Sequence, residues 1–249
     1  MPINVGNNEL NSVGANVLAY SNVVTTNLAF YADAGIASSY PGSGTTWTDL
    51  SGNVYNGTLT NGPAYSTGNG GYIQFDGADD YVTLGDQSGL GFTSGVFSIE
   101  AWMYIPSSWT GGSQYPNLVS KGATAGWDTN GWSLFVFRNW SGPYAWGCGV
   151  RNGGSSTIVA RGSCASDTYL NVVMTLDGST VRLYENGNQI NTGAQTVNPG
   201  SNSTAVYIGA DVNLQCFPGR VAITRAYNKT LSASEVLQNF NANRRRFNI

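Results

Sequence analysis

Between residues 97 and 105 apolar and polar positions alternate without a break. Phe97, Ile99, Ala101, Met103 and Ile105 fall on one side, and Ser98, Glu100, Trp102 and Tyr104 on the other. A period of two belongs to a β-strand, whose successive side chains point to opposite faces. This strand lays one face on a core and turns the other towards something polar. Shorter stretches of strand character predict strands at 28–32, 72–75, 81–84, 131–137, 144–150, 157–160, 169–176, 180–184, 189–192, 205–209 and 220–227. Glu185-Asn186-Gly187-Asn188 joins two of them, and Asn-Gly readily supplies the paired positive φ values of a tight hairpin. One helix is predicted. It is opened by Ser232-Ala233-Ser234-Glu235, which reads as a capping box, and it carries a narrow apolar face of Val236, Leu237 and Phe240. Arg244-Arg245-Arg246 follows and reads as a solvated end that complements the helix dipole.

About a dozen short strands with turn signals between them predict an all-β fold. Its form is a two-sheet antiparallel β-sandwich of the jelly-roll kind with one short C-terminal helix. No repeat of fixed period is visible, which disfavours a propeller or solenoid. Residues 1–26 contain no Trp, a single Tyr and little alternation, so they read as an N-terminal arm or adaptor ahead of a domain at 27–249.

Composition sharpens this picture. Gly accounts for 33 of 249 residues and charged residues for 10%, against roughly 25% in ordinary globular chains. Hydrophobic residues at 41% and aromatics at 12% supply a sizeable core, so the glycines and asparagines read as turn chemistry rather than disorder. There is no histidine, which removes Ser-His-Asp and Cys-His nucleophiles and His-ligated zinc. Eleven Lys and Arg against fourteen Asp and Glu leave no basic surface for duplex nucleic acid. No run of apolar residues is long enough for a membrane span, and the first residues have neither a basic nor an apolar leader region, so no secretory signal is expected. Cys148, Cys164 and Cys216 are an odd, unpatterned set. The Gly153-Gly154 turn would pair Cys148 with a residue near Val159 rather than with Cys164, so buried free thiols are expected.

Six ordered blocks carry a family resemblance. They are Trp47-Thr48-Asp49-Leu50-Ser51-Gly52-Asn53 with Asn56-Gly57-Thr58-Leu59, then Phe75-Asp76-Gly77-Ala78-Asp79-Asp80-Tyr81-Val82, then residues 97–104. Leu183-Tyr184-Glu185-Asn186-Gly187, the stretch 217–228 and the stretch 231–236 complete them. Together they resemble laminin-G-like, concanavalin A-like lectin/glucanase jelly-roll domains over residues 27–249. Many members carry an Asp-Glu pair in the closing strand; here Ala222-Ile223 stands there, and no role tied to that pair is carried over. The closing stretch Glu235-Val236-Leu237-Gln238-Asn239-Phe240 with its basic tail resembles the versions found in tailed-phage structural proteins.

The resemblance implies three kinds of chemistry. Glycanases of this architecture use two carboxylates, about 5–5.5 Å apart in retaining enzymes. The four glutamates, Glu9, Glu100, Glu185 and Glu235, show no such spacing, so no enzyme is expected and no catalytic residue is assigned. Related jelly rolls often hold one structural Ca²⁺ on loop carboxylates and carbonyls, and Asp76, Asp79 and Asp80 are the best local set. The plainer alternative makes Asp76 and Asp79 turn-bonding groups and Asp80 a solvated one. Asp211 is a weaker candidate. Sugar binding needs flat rings flanked by polar groups. Trp109, Tyr115, Trp127, Asp128, Arg138, Trp140 and Tyr144 form the candidate carbohydrate-binding set, and Trp102 and Tyr104 could floor a groove. For most individual rings the alternative is anchoring of long loops or subunit contact.

The expected function is that of a non-enzymatic virion structural protein, a capsid decoration or tail-fibre component on the particle surface. Residues 1–26 would contact other virion proteins, homo-oligomers would fit, and the displayed domain would hold host-surface glycans. The alternatives are a free, extracellular carbohydrate-binding lectin module and, ranked below it, a glycan hydrolase or lyase.

Overall fold

The structure, a computed structural model, describes residues 23–110, 115–122, 129–138 and 144–249, and of Arg138 the backbone alone. In chain order its strands are β1 (Leu28–Asp33), β2 (Thr46–Trp47), β3 (Gly57–Thr60), β4 (Ala64–Ser66), β5 (Tyr72–Gln74), β6 (Tyr81–Gly85), β7 (Val96–Tyr104) and β8 (Asn117–Lys121). They continue as β9 (Gly131–Arg138), β10 (Tyr144–Asn152), β11 (Ser155–Arg161), β12 (Tyr169–Asp177), β13 (Thr180–Glu185), β14 (Asn188–Ala194), β15 (Val206–Ile208) and β16 (Arg220–Tyr227). One helix, α1 (Ala233–Asn243), follows.

Two antiparallel sheets form a sandwich. The first runs β14-β13-β12-β7-β16-β5-β4, with β1 also on β16; the second runs β11-β10-β9-β8-β15-β6-β3-β2. The alternation of β7 explains the packing. Phe97, Ile99, Ala101 and Met103 are fully buried against Leu134, Val136 and Trp146 of the facing sheet in one cluster. The expected hairpin closes on Asn186 and Gly187, at φ 49° and 79°, the paired positive values of a tight two-residue turn. Cys148 pairs with Val159 as the Gly-Gly turn dictates, and all three thiols are free and buried.

The other face of the first sheet is not open. Helix α1 and the turn after it lie on it, so Trp102 is fully buried, stacked 4.3 Å from Phe247 and 5.8 Å from Phe240. Trp102 therefore floors no groove. Beneath the helix lies a polar core. Glu100 and Arg225, both fully buried, pair at 2.9 Å. Asn171 donates to Glu100 Oε1 at 2.9 Å and Asn239 to Oε2 at 2.7 Å. Arg225 donates to Asn243 Oδ1 at 2.8 Å and stacks over Tyr31. Burial dominates the tyrosines here, pushing the hydroxyls of Tyr31 and Tyr227 well above their usual range.

The cap of α1 forms as predicted: Glu235 N–H donates to Ser232 Oγ at 3.3 Å and Ser232 N–H to Glu235 Oε2 at 2.9 Å. Two details of the helix differ from the sequence reading. Leu237 stays 45% exposed, so Val236 and Phe240 make the buried contact. The arginine triplet is not simply solvated either. The Arg246 side chain is 6% exposed, paired with Asp33 at 2.5 Å and bonded to the carbonyls of Asn69 and Gly71, because the chain turns back over the sheet after α1. Ala222 and Ile223, standing in place of the family's acidic pair, are fully buried in this same layer.

Of the expected arm, residues 1–22 lie outside the described residues. Val23 and Val24 are buried, and Val24 N–H donates to Asn239 Oδ1 at 2.8 Å while its carbonyl accepts from Tyr227.

Candidate functional site

The strand register brings four side chains into one transverse row on the helix-covered face. Tyr169 of β12 faces Tyr104 of β7, which faces Arg220 of β16, which faces Gln74 of β5. The helix covers the neighbouring rows but stops short of this one. Tyr104, Arg220 and Gln74 remain partly exposed, as does Tyr72, two residues along β5 on the same face. Arg220 lies between two rings, 4.1 Å from the centroid of Tyr104 and 4.7 Å from that of Tyr72. Its Nε donates to Gln74 Oε1 at 3.1 Å. Stacking of this kind suits a planar guanidinium, whose weak hydration makes partial burial cheap.

The loop before β12 supplies the acid. Asp167, exposed and at φ 56°, accepts from Tyr104 Oη at 3.1 Å and from Ser107 N–H at 3.0 Å. The hydrogen bonds from Ser107 hold its carboxyl below the usual range. Burial, with the Asp167 contact second, raises the Tyr104 hydroxyl. Ser107 links this row to the predicted aromatic loops, since its carbonyl accepts from Tyr144 Oη at 2.9 Å.

Those loops are only partly as expected. Trp109 and Tyr144 do come together, stacked at 5.4 Å, and Tyr144 Oη also donates to the Trp109 carbonyl at 2.8 Å. Trp109 is 7% exposed and belongs to the core cluster, so it pins the loop and offers little ring surface. Tyr115 is partly exposed and packs edge-on to Phe135 at 6.3 Å. Trp127, Asp128 and Trp140 lie outside the described residues, as does the Arg138 side chain. Sequence reasoning missed Arg220, Tyr72 and Gln74 because they meet through register between strands distant in the chain, and Asp167 because it reaches Tyr104 from a loop 63 residues away.

Asp76, Asp79 and Asp80 place one carboxylate oxygen each within 4.8 Å of one another. Asp76 Oδ1 accepts from Ala78 N–H at 2.8 Å and from the next two amides, and these bonds lower its carboxyl. Asp80 Oδ2 accepts from Asp76 N–H at 3.1 Å, and Asp80 is buried rather than solvated; burial and the Asp76 charge raise its carboxyl. None of the three is in an ion pair among the described residues. The set fits a hard cation in charge and donor type. Asp211 is fully buried and accepts from Asn117 and from backbone amides, which gives it a structural task.

The glutamates are also committed. Glu185 accepts from Trp146 Nε1 at 2.9 Å and pairs with Arg161 at 2.8 Å, Glu100 pairs with Arg225, and Glu235 caps α1.

A two-sheet jelly roll with a helix-covered face and polar loops at one end defines a lectin-like sandwich. Residues 76–237 match the laminin-G-type profile described as the concanavalin A-like lectin/glucanases superfamily, and the chain belongs to that family. Solved structures agree on the fold. The binding domain of paraclostridial mosquitocidal protein 1 is 18% identical, with a TM-score of 0.66 over 87% of this chain and 52% of that one. Domain 4 of a GH43 extracellular arabinanase from Geobacillus stearothermophilus, solved with arabinotriose, is 18% identical, with a TM-score of 0.63 over 86% of this chain and 98% of that one. The binding domain of botulinum neurotoxin DC, solved with SialylT, is 15% identical, with a TM-score of 0.65 over 88% and 52%. The chain thus spans about half the length of these two toxin domains. No curated protein matches the chain in sequence. Among the described residues no helix is long and apolar enough to cross a membrane.

Proposed function

We propose that this protein is a non-enzymatic glycan-binding jelly roll. The observation that carries the reading is the state of its carboxylates. Every glutamate among the described residues is held in an ion pair, a cap or a buried network, so none of them is left free to act as the acid or nucleophile that hydrolysis requires. What is left accessible is recognition chemistry, namely partly exposed tyrosines, an arginine, an amide and an aspartate at one end of the sheet. Support comes from neighbours solved with arabinotriose and with SialylT, although some neighbours are whole sialidases. A glycan array and a turnover assay on a broad polysaccharide panel test the reading together. Binding without turnover is expected; turnover that Glu100→Gln abolishes would replace it with the hydrolase reading.

The site of display proposed is a phage particle, as capsid decoration or tail-fibre component, with residues 1–26 and homo-oligomer contacts as the attachment. The resemblance of 235–240 and its basic tail to phage versions supports this, and cryo-EM of the assembled particle tests it. A free lectin module is the alternative. One structural Ca²⁺ on Asp76, Asp79 and Asp80 would neutralise their mutual repulsion. Calcium at a hundred times its dissociation constant should then stabilise the fold by about 2.7 kcal/mol. A thermal melt unmoved by calcium would refute it.

A further inference from the structure

The transverse row on the first sheet has bonding capacity that the protein itself does not use. Arg220 is partly buried between Tyr72 and Tyr104, yet among the described residues it is in no ion pair. Its Nε donates to Gln74 Oε1 and its guanidinium meets the Tyr169 hydroxyl, but no carboxylate among the described residues pairs with it. The buried arginines behave differently. Arg225 has Glu100 and Arg246 has Asp33. Beside Arg220, Tyr169 is 4% exposed, and its buried hydroxyl faces the guanidinium. Across the Tyr104 ring, Asp167 is exposed, and its Oδ1 accepts from Tyr104 and Ser107.

We propose that this row binds a carboxylated sugar, with the sugar carboxylate on the Arg220 fork and an adjacent hydroxyl donating to Asp167. The inference rests on the glycan-binding reading above and names the class of glycan and the place. A planar guanidinium without a carboxylate partner matches a sugar carboxylate in bidentate geometry. The rings hold the guanidinium in a fixed orientation, so little side-chain entropy is lost when the ligand arrives. Asp167 selects between anions. A dianionic phosphate would meet its charge one tyrosine away, whereas a singly charged sugar acid brings hydroxyls that need an acceptor there.

The test uses the full chain and isothermal titration with trigalacturonate and 3′-sialyllactose, their neutral counterparts trigalactose and lactose, and inorganic phosphate. At least one acidic probe should bind about tenfold or more tightly than its neutral counterpart. Arg220→Gln should lose about ten- to a hundredfold of that binding, and Arg220→Lys, which keeps charge but not the fork, should recover part of it. Asp167→Asn, on an exposed loop, is the variant that avoids disturbing the sheet. It should weaken the acidic sugar and strengthen phosphate. Neutral glycans bound as well as acidic ones, with Arg220→Gln indifferent and folded by circular dichroism, would overturn this site and leave the lectin reading standing. Phosphate bound as tightly as the sugar acids, or an acidic sugar strengthened by Asp167→Asn, would overturn the ligand class. No glycan bound at all would overturn both readings.

Discussion

Replacing Glu100 by Gln tests the layer beneath α1. The carboxylate is fully buried, 2.9 Å from a fully buried Arg225 guanidinium, and accepts from Asn171 at 2.9 Å and Asn239 at 2.7 Å. All three partners are donors, and Arg225 Nε already lacks a partner. A glutamine amide would remove the compensating charge and turn one acceptor oxygen into a donor facing donors. Breaking one side of such a pair costs about 3–5 kcal/mol, a large share of the roughly 5–15 kcal/mol that holds a domain together. At about 2–4 °C per kcal/mol for a domain of this size, the melting temperature should fall by roughly 6–20 °C. Urea unfolding followed by tryptophan fluorescence and by circular dichroism would measure it. The double variant Glu100→Met with Arg225→Met should lose less than Glu100→Gln alone, because no unpaired charge stays buried. A Glu100→Gln variant within about 1 kcal/mol of the parent would refute the buried ion pair. If turnover disappeared while stability held, Glu100 would be an accessible acid and the non-enzymatic reading would fall with it.

The remaining predictions concern smaller parts. Burial pushes the Cys148 and Cys164 thiols up to about 12 and Cys216 up to about 11, so a thiol reagent at pH 8 should leave the folded protein unmodified and count three thiols after denaturation. A count of one would mean a disulfide. Ser232→Ala removes the cap of α1 and should cost about 1 kcal/mol in urea unfolding; a change within a few tenths would show that packing alone holds the helix end. The hydrogen bond from Arg182 holds Asp177 well below the usual carboxylate range, with Ser179 and Thr180 adding to it. Its stabilisation is therefore present above the ordinary carboxylate pKa and is lost as pH falls through the lower folded value. Asp177→Asn should flatten the loss of stability on acidification below pH 4, to a small extent because the pair is partly exposed.

How much of this was legible in the sequence depended on the range of the cause. The hairpin at Asn186-Gly187, the cap at Ser232 and the pairing of Cys148 with Val159 are set by neighbours in the chain, and each formed as read. Strands β2, β3, β4 and β8 escaped. The first three are two to four residues long, too short for a period to show, and β8 is buried at all five positions, so it has no alternation to read. The polar face of β7 was visible as a pattern, but its cover was not. Nothing near Trp102 in the chain announces Phe247 above it. The Arg220 row was hidden for the same reason: Tyr104, Arg220 and Gln74 become neighbours through strand order alone.

The layer under α1 also sets when the chain can finish folding. Its bonds join the ends of the domain, Val24 to Asn239 across 215 residues and Asp33 to Arg246 across 213. A ribosome therefore releases nearly the whole sandwich before the lid that neutralises Glu100 and Arg225 exists. Until residues 232–249 emerge, two charges and Trp102 lie on a bare sheet face, and the nascent domain waits in a state that water and other chains can reach. Closure is a late, long-range step of the kind that slows folding and invites misassembly. A chain that stops before residue 232 therefore leaves Trp102 and the Glu100–Arg225 pair without their cover.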